Sequence, residues 1–487
     1  MPRKSVLGNC KIFINMTIRE RVNEYAKTVY QLFWQKGVTD VMKMLVTTLD
    51  FIYLKRKADT DPYAFNGDDT FLWGNLCLYD KIPFEEIYTY KLDSFYFKQK
   101  KYDFMGLENF PSSLTVHEFS GIYELFHLTD ELFKNIDQMD VKEQDVTLHG
   151  LIFEELVDSW GILKQTRYSL SKHIAKLLPL LVDVRDNDSI YIPNGGIGEL
   201  PLCTFRQVQL KKIPNQNLKD DIDGFTTFDN QIDYMHSLDR FPTKLLSVDE
   251  KNKFFAYLCA MNFFLNGVNL QIHIENVDFW NQSYAKKQKG KFTKILSCFI
   301  EKESTVRILG IRSILEMLAP SGKAAVVVPE SFLFSRDSKT TEFRRSLLQE
   351  NHIDAVISLP KGVLLGTNVK TSILLFSKDK TTGNIWFCDL LNDGYSKVGR
   401  RQRNADFPLP KLVNNYRNRW EENTNLMYSA QVSVDEAMAN NSLLAINYYK
   451  EIEPVMKEFV DPYETLKDLL VLEEKIKTGL DELYKML

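Results

Sequence analysis

Two groups of residues in this chain have types and spacing that could do chemistry. One is Asn194-Gly195-Gly196-Ile197-Gly198-Glu199, directly after the β-rich run Ser189 to Ile192. Glycines at a strand-to-helix turn let backbone N–H groups approach a cofactor closely, although a Gly-Gly-x-Gly string taken alone is more often a plain turn. The other group is basic. Lys286, Lys287, Lys289, Lys291 and Lys294 crowd one stretch, and Arg400, Arg401, Arg403, Arg417 and Arg419 bracket a segment that also holds Tyr416 and Trp420. A solvated loop accounts for the lysines, whereas the mixture of arginine and aromatic residues suits phosphate contact. Other chemistries find no support. The six cysteines include no C-x-x-C pair and the seven histidines no H-x-x-x-H spacing, which predicts neither a disulfide framework nor a zinc site. Ser321-Gly322-Lys323 lacks the upstream glycine of a phosphate loop, and no helicase or nuclease motif occurs.

The elements that would position these residues change character along the chain. With 487 residues, 44% hydrophobic and 26% charged, the sequence is that of a soluble globular protein of two or three domains. It has no run of eighteen uncharged apolar residues and no apolar core behind Met1-Pro2-Arg3-Lys4, so a cytoplasmic protein without a membrane span is expected. The net charge of −4 means that any nucleic-acid contact must come from local patches or a partner. Residues 1–148 read as helical, with apolar positions three and four apart over Arg19 to Gln35 and Val41 to Asp59. From 149 to 385, β-rich runs alternate with helical ones, as a doubly wound α/β sheet requires. The predicted strands are Ser189–Ile192, Leu245–Val248, Leu270–Ile274, Ile295–Phe299, Ala324–Val328, Ala355–Leu359 and Thr371–Phe376, with a polar insertion over 211–239. Residues 386–460 read as irregular. A terminal helix over 461–487 follows, with Asp461 as N-cap and Pro462 at its first position. Leu466, Leu469, Leu472, Ile476, Leu480, Leu483 and Leu487 line one face of it and need a partner surface, within the chain or outside it.

Order along the chain then supplies a resemblance. Gly322-Lys-Ala-Ala-Val-Val-Val-Pro-Glu330, Val356-Ile-Ser-Leu-Pro-Lys-Gly362 and Thr367-Asn-Val-Lys-Thr-Ser-Ile-Leu-Leu-Phe376 together resemble the modification subunits of type I restriction-modification systems. Those subunits transfer a methyl group from S-adenosylmethionine to adenine N6 in DNA. The resemblance implies a Rossmann-like, seven-stranded methyltransferase sheet with a helical N-terminal domain and a C-terminal helical tail. It runs from about residue 15 to the terminal helix, and its specificity is concentrated in residues 322–376.

Carried over residue by residue, the resemblance identifies a partly eroded site. The family pattern Asp-Pro-x-x-Gly-x-Gly-Gly becomes Ile192-Pro193-Asn194-Gly195-Gly196-Ile197-Gly198-Glu199. Proline, Gly196 and Gly198 match, while isoleucine stands where the acid that meets the methionine ammonium belongs. Glu250 falls at the place of the ribose-binding carboxylate, whose two oxygens can accept two hydroxyls, and Asp278 at that of the acid facing the cofactor adenine. The Asn-Pro-Pro-Phe motif, whose asparagine accepts from the target amino group and whose aromatic ring stacks on the flipped base, reads Cys298-Phe299-Ile300-Glu301. The loop that follows is short, and Arg167-Tyr168-Ser169-Leu170 stands in for a Phe-Tyr-Thr-Pro-like segment. Asp61-Pro62-Tyr63 and Asp461-Pro462-Tyr463 follow no sheet strand and read as a turn and a helix start.

The expectation is a pseudo-N6-adenine methyltransferase subunit with S-adenosylmethionine binding weakened or lost and no metal. It would bind DNA, through Arg400, Arg401 and Arg403, and join an intact methyltransferase or a specificity subunit through helix 461–487. Two alternatives stay open: an active adenine-N6 methyltransferase, and a regulatory scaffold with a repurposed or empty cleft.

Overall fold

Several helices in this chain begin where the sequence offers a cap. Helix α1 (Ile18–Gln35) opens on a reciprocal box in which the Thr17 hydroxyl accepts the Glu20 N–H and the Glu20 carboxylate accepts the Thr17 N–H at 2.8 Å. Two donors beyond the reach of any intrahelical carbonyl are satisfied in this way. The computed structural model describes residues 17–60, 72–89, 111–137, 148–162, 170–210, 246–268, 274–275, 279–350, 352–364, 368–379, 383–395, 404, 406–450 and 462–486. The chain divides into two compact units, Met1–Tyr448 and Tyr449–Leu487.

The N-terminal part of the first unit is helical, as its periodicity predicts. After α1 come α2 (Val41–Thr60), α3 (Trp73–Leu76), α4 (Lys81–Ile87), α5 (Ile122–Asp137) and α6 (Leu148–Ser159). Stacked and edge-on aromatic pairs such as Phe33 with Phe119, at 4.3 Å between ring centroids, hold them together.

Helices and strands alternate from there. The order is α7 (Lys172–Leu181), β1 (Ile190–Pro193), α8 (Glu199–Leu210), β2 (Leu246–Asp249), α9 (Lys253–Leu265), β3 (Ile274–Glu275), α10 (Gln282–Lys287), β4 (Phe292–Cys298), α11 (Ser304–Met317) and β5 (Leu318–Pro329). It continues with α12 (Ser331–Phe334), α13 (Ser338–Gln349), β6 (Ile353–Ser358), β7 (Thr371–Ser377), β8 (Asn384–Leu390), α14 (Leu409–Asn418), β9 (Glu422–Asn423), β10 (Met427–Ser433) and α15 (Val434–Ala439). One sheet runs in the order β3-β2-β1-β4-β5-β7-β6-β8-β10-β9. The strands β3, β2, β1, β4 and β5 are mutually parallel, and β7 is antiparallel to both β5 and β6. Six of the seven predicted strands are present and contiguous in the sheet, and the seventh, Leu270–Ile274, lies outside the described residues except for Ile274, which opens β3. Every residue of β6 is buried, as is β7 from Thr371 to Phe376, as expected of strands inside a sheet.

The sheet nevertheless has ten strands among the described residues, and the expectation of an irregular stretch over 386–460 is overturned. Strand β8 pairs parallel with β6, and β10 pairs antiparallel with β8, Met427 opposite Leu390 through Ser433 opposite Asn384. A segment that includes α14 separates β8 from β10, so local sequence carries little sign of their pairing.

Helix α16 (Pro462–Met486) forms the described part of the second unit and starts at the expected proline. Leu466, Leu469, Leu470, Leu472, Ile476 and Leu480 along it are all more than half exposed. No helix among the described residues is long and apolar enough to cross a membrane.

Candidate functional site

Chain order reverses between β1 and β4, and the crevice beyond their carboxyl ends is where ligands bind in such sheets. The glycine string forms the β1-to-α8 turn at that crevice. Its shape is fixed by contacts from two other elements and one within the turn. The Gly195 N–H donates to the Asp249 carbonyl at 3.0 Å, the Gly198 N–H to the Gly195 carbonyl at 3.0 Å, and the Asn262 side-chain amide on α9 to the Ile197 carbonyl at 3.0 Å. Gly198 has φ +91°, and a Cβ there would lie 3.1–3.3 Å from the Cys259 Sγ, Cα and O. Gly196 has φ +57°, and a Cβ there would meet nothing within 4 Å. The turn is packed on one side and open on the other, as a backbone cradle must be.

Glu250 reaches this turn from the end of β2. Its Oε2 accepts the Gly196 N–H at 2.8 Å and its Oε1 the Asn252 N–H at 2.9 Å, which leaves lone pairs on both oxygens for further donors. Burial pushes the carboxyl above its ordinary range, and the two N–H bonds pull the other way. Just before it, Asp249 accepts the hydroxyls of Tyr284, at 2.9 Å, and of Tyr191. Ile192 is fully buried in β1, so no charge stands at that point of the pocket. Asp278 lies outside the described residues, as do Arg167, Tyr168 and Ser169.

At the end of β4 the four positions of interest are buried or partly buried. Cys298 and Phe299 are buried, and Ile300 packs partly buried against the core. Burial pushes the Cys298 thiol far above its usual range, so it stays protonated and offers at most a weak donor. The Phe299 ring lies under α11 where Gly310 makes room: a Cβ at Gly310 would come within 2.3 Å of the Phe299 Cε1. Phe279 and Trp280 pack on the same ring at centroid distances of 5.0 and 5.9 Å. From Glu301, whose carbonyl accepts an Arg307 guanidinium N–H at 3.2 Å, the chain enters α11 at Ser304, so the connection is short, as expected.

The basic patches divide. Lys286, Lys287, Lys289 and Lys291 are exposed, but they precede β4 and so lie at the opposite end of the strands from the crevice. Arg417 and Arg419, expected at a phosphate contact, both have partners within the fold. Arg417 donates to the Leu180 carbonyl at 3.2 Å, and Arg419 pairs with the Asp354 carboxylate and lies 4.9 Å over the Tyr416 ring. Spacing shows arginines near aromatics but not that a buried carboxylate on β6 pairs with Arg419. Arg400, Arg401 and Arg403 lie outside the described residues.

Sequence reasoning passed over a polar chain behind the turn. Arg206 on α8 donates to the Asn266 Oδ1 at 2.6 Å, and the Asn266 amide donates to the Asn262 carbonyl and Oδ1 at 2.8 Å, continuing to Ile197. Both asparagines are buried in a helix that is otherwise apolar, and that contrast is the signal that could have found them.

Comparison with known proteins agrees with this geometry. Residues 152–458, well over half of the chain, match the family described as N-6 DNA Methylase. The chain belongs to that family. Its resemblance to type I modification subunits holds as well. It is 23% identical over 279 residues to the methylase subunit of the type I restriction enzyme EcoEI from Escherichia coli, a match covering 53% of this chain and 52% of that one. To the EcoKI methylase subunit from Escherichia coli K12 it is 36% identical over 107 residues, 20% of each chain. The chain thus spans about half the length of the first relative. A solved methyltransferase subunit of a type I system from Streptococcus thermophilus superposes with a TM-score of 0.62 at 15% identity, over 88% of this chain and 99% of that one, which shows the shared fold.

Proposed function

We propose that the chain is a methyltransferase-like subunit of a type I restriction-modification assembly that holds the nucleoside end of S-adenosylmethionine and does not transfer the methyl group. The arrangement of Cys298 and Phe299 carries this reading. Methyl transfer to adenine N6 needs an acceptor for the amino hydrogens and an aromatic face on the flipped base. A protonated, buried thiol accepts poorly, and a ring packed under α11 has no face to give.

The nucleoside half of the cleft fits the cofactor. Gly196 offers backbone that can be approached closely, Gly198 lets the turn pack against Cys259, and Glu250 keeps lone pairs for ribose hydroxyls. Asp278 is assigned to the adenine amino group, and Arg400, Arg401 and Arg403 to DNA. When bound, the cofactor would supply an electrophilic methyl group. This chain's residues would hold and orient its nucleoside. Helix α16, with its exposed leucines, is assigned to contact with a specificity subunit or an intact methyltransferase.

The test is methyl transfer by the isolated chain. Purified protein is incubated with labelled S-adenosylmethionine and genomic DNA, and N6-methyladenine is measured by mass spectrometry. No product is expected, and turnover would overturn the reading. Truncation of 461–487 is expected to abolish copurification of the partner subunits from the native host.

A further inference from the structure

A mixed cluster of charges beside the glycine turn has no part in the account so far. Glu199 is the first residue of α8 and stands where the family pattern ends in glycine. Its carboxylate, half-buried, accepts the Cys203 thiol at 3.7 Å. Burial pushes its carboxyl above the ordinary range and Glu154 adds to this, while Lys172, Arg206 and Lys176 pull the other way and favour the charged form. Lys172 comes from the start of α7, at the same edge of the sheet as the crevice, where the Ser171 N–H donates to the Val363 carbonyl beyond β6. Its ammonium pairs with the Glu154 carboxylate at 2.7 Å, and the two side chains keep 34% and 19% of their surface exposed. The cluster therefore sits at the boundary of the protein, within reach of a ligand. Behind it, Arg206 is anchored to Asn266 and through Asn262 to the turn itself.

An α-amino acid end needs one negative and one positive protein group side by side, because its ammonium and carboxylate share a single carbon. Ile192 gives the ammonium no counter-charge. Glu199 does, two positions beyond Ile197, and Lys172 supplies the opposite charge. We infer that Glu199 has taken over the anchoring role vacated at Ile192, and that with Lys172 it holds the α-amino acid end of an adenosyl amino acid. This rests on the reading of the crevice as a cofactor site. The competing account is that Glu199 merely complements the dipole of α8, which would affect stability and not ligand preference.

Calorimetry with two ligands separates these. S-adenosylhomocysteine carries the amino acid end, and 5′-methylthioadenosine has the same nucleoside and a thioether but lacks that end. The wild-type chain is expected to prefer the first by about ten- to a hundredfold, the worth of one charge-assisted contact. Glu199→Gln should remove most of that preference while leaving 5′-methylthioadenosine affinity unchanged, and Glu199→Asp should restore part of it. Glu250→Gln should weaken both ligands alike. An unchanged preference in Glu199→Gln, or equal weakening of both ligands, overturns the inference. If neither ligand binds the wild-type chain, the cofactor reading itself fails, and this assignment with it.

Discussion

Alanine at Gly310 should destabilise the chain or leave it unchanged, and should stabilise it once Phe299 is gone. The added Cβ would stand 2.3 Å from the Phe299 Cε1 and 2.6 Å from its Cζ, both far inside contact distance. Overpacking of this kind costs about 1–3 kcal/mol, and the helix preference of alanine over glycine returns about 1 kcal/mol. Gly310→Ala alone is therefore expected to lie between roughly 0 and 2 kcal/mol destabilising. Phe299→Ala should cost about 3–5 kcal/mol, because the ring is wholly buried. In that background the new methyl group enters vacated space, and the same substitution should stabilise by about 1 kcal/mol. The two changes should thus couple by about 1–3 kcal/mol. Urea denaturation of the four proteins, followed by tryptophan fluorescence, measures the cycle, and Trp280 reports directly because its ring lies 5.9 Å from Phe299. Additivity within about 0.5 kcal/mol would refute the placement of the ring under α11. With it would go the main support for a subunit unable to stack on a base.

Three further outcomes follow from the site. Gly198→Ala meets both a left-handed φ and the Cys259 backbone, so it should cost more stability than Gly196→Ala, which faces open space and carries only the left-handed penalty of about 1–2 kcal/mol; equal melting shifts would contradict the packing of the turn. Burial raises the folded-state pKa of Glu250, and such an acid contributes stability fully below its unfolded pKa and loses it as pH rises through the folded one. Wild type should therefore lose stability relative to Glu250→Gln as pH is raised from about 4 toward neutrality, and a flat difference in denaturation midpoints would count against it. Arg419→Ala should destabilise by about 1.5–3 kcal/mol, since Asp354 loses a charged partner, while the salt dependence of DNA binding stays the same; a shallower salt slope would reinstate Arg419 as a phosphate contact.

What the sequence determined is the set of local choices. The capping box at Thr17 and Glu20, the apolar runs of β4 to β7, the glycines after β1 and the proline that opens α16 each act over a few residues, and each is legible in order along the chain. The missing asparagine and prolines after β4 were equally readable, because identity at a motif position needs no coordinates. Only the tertiary structure decided where side chains point and which distant groups claim them. It turned Phe299 under Gly310, drew Arg419 to Asp354, joined β8 to β10 across α14, and gathered Glu154, Lys172 and Glu199 beside one turn. Those outcomes depend on long-range packing and on the pairing of buried charges, and both are set by neighbours far away in the sequence.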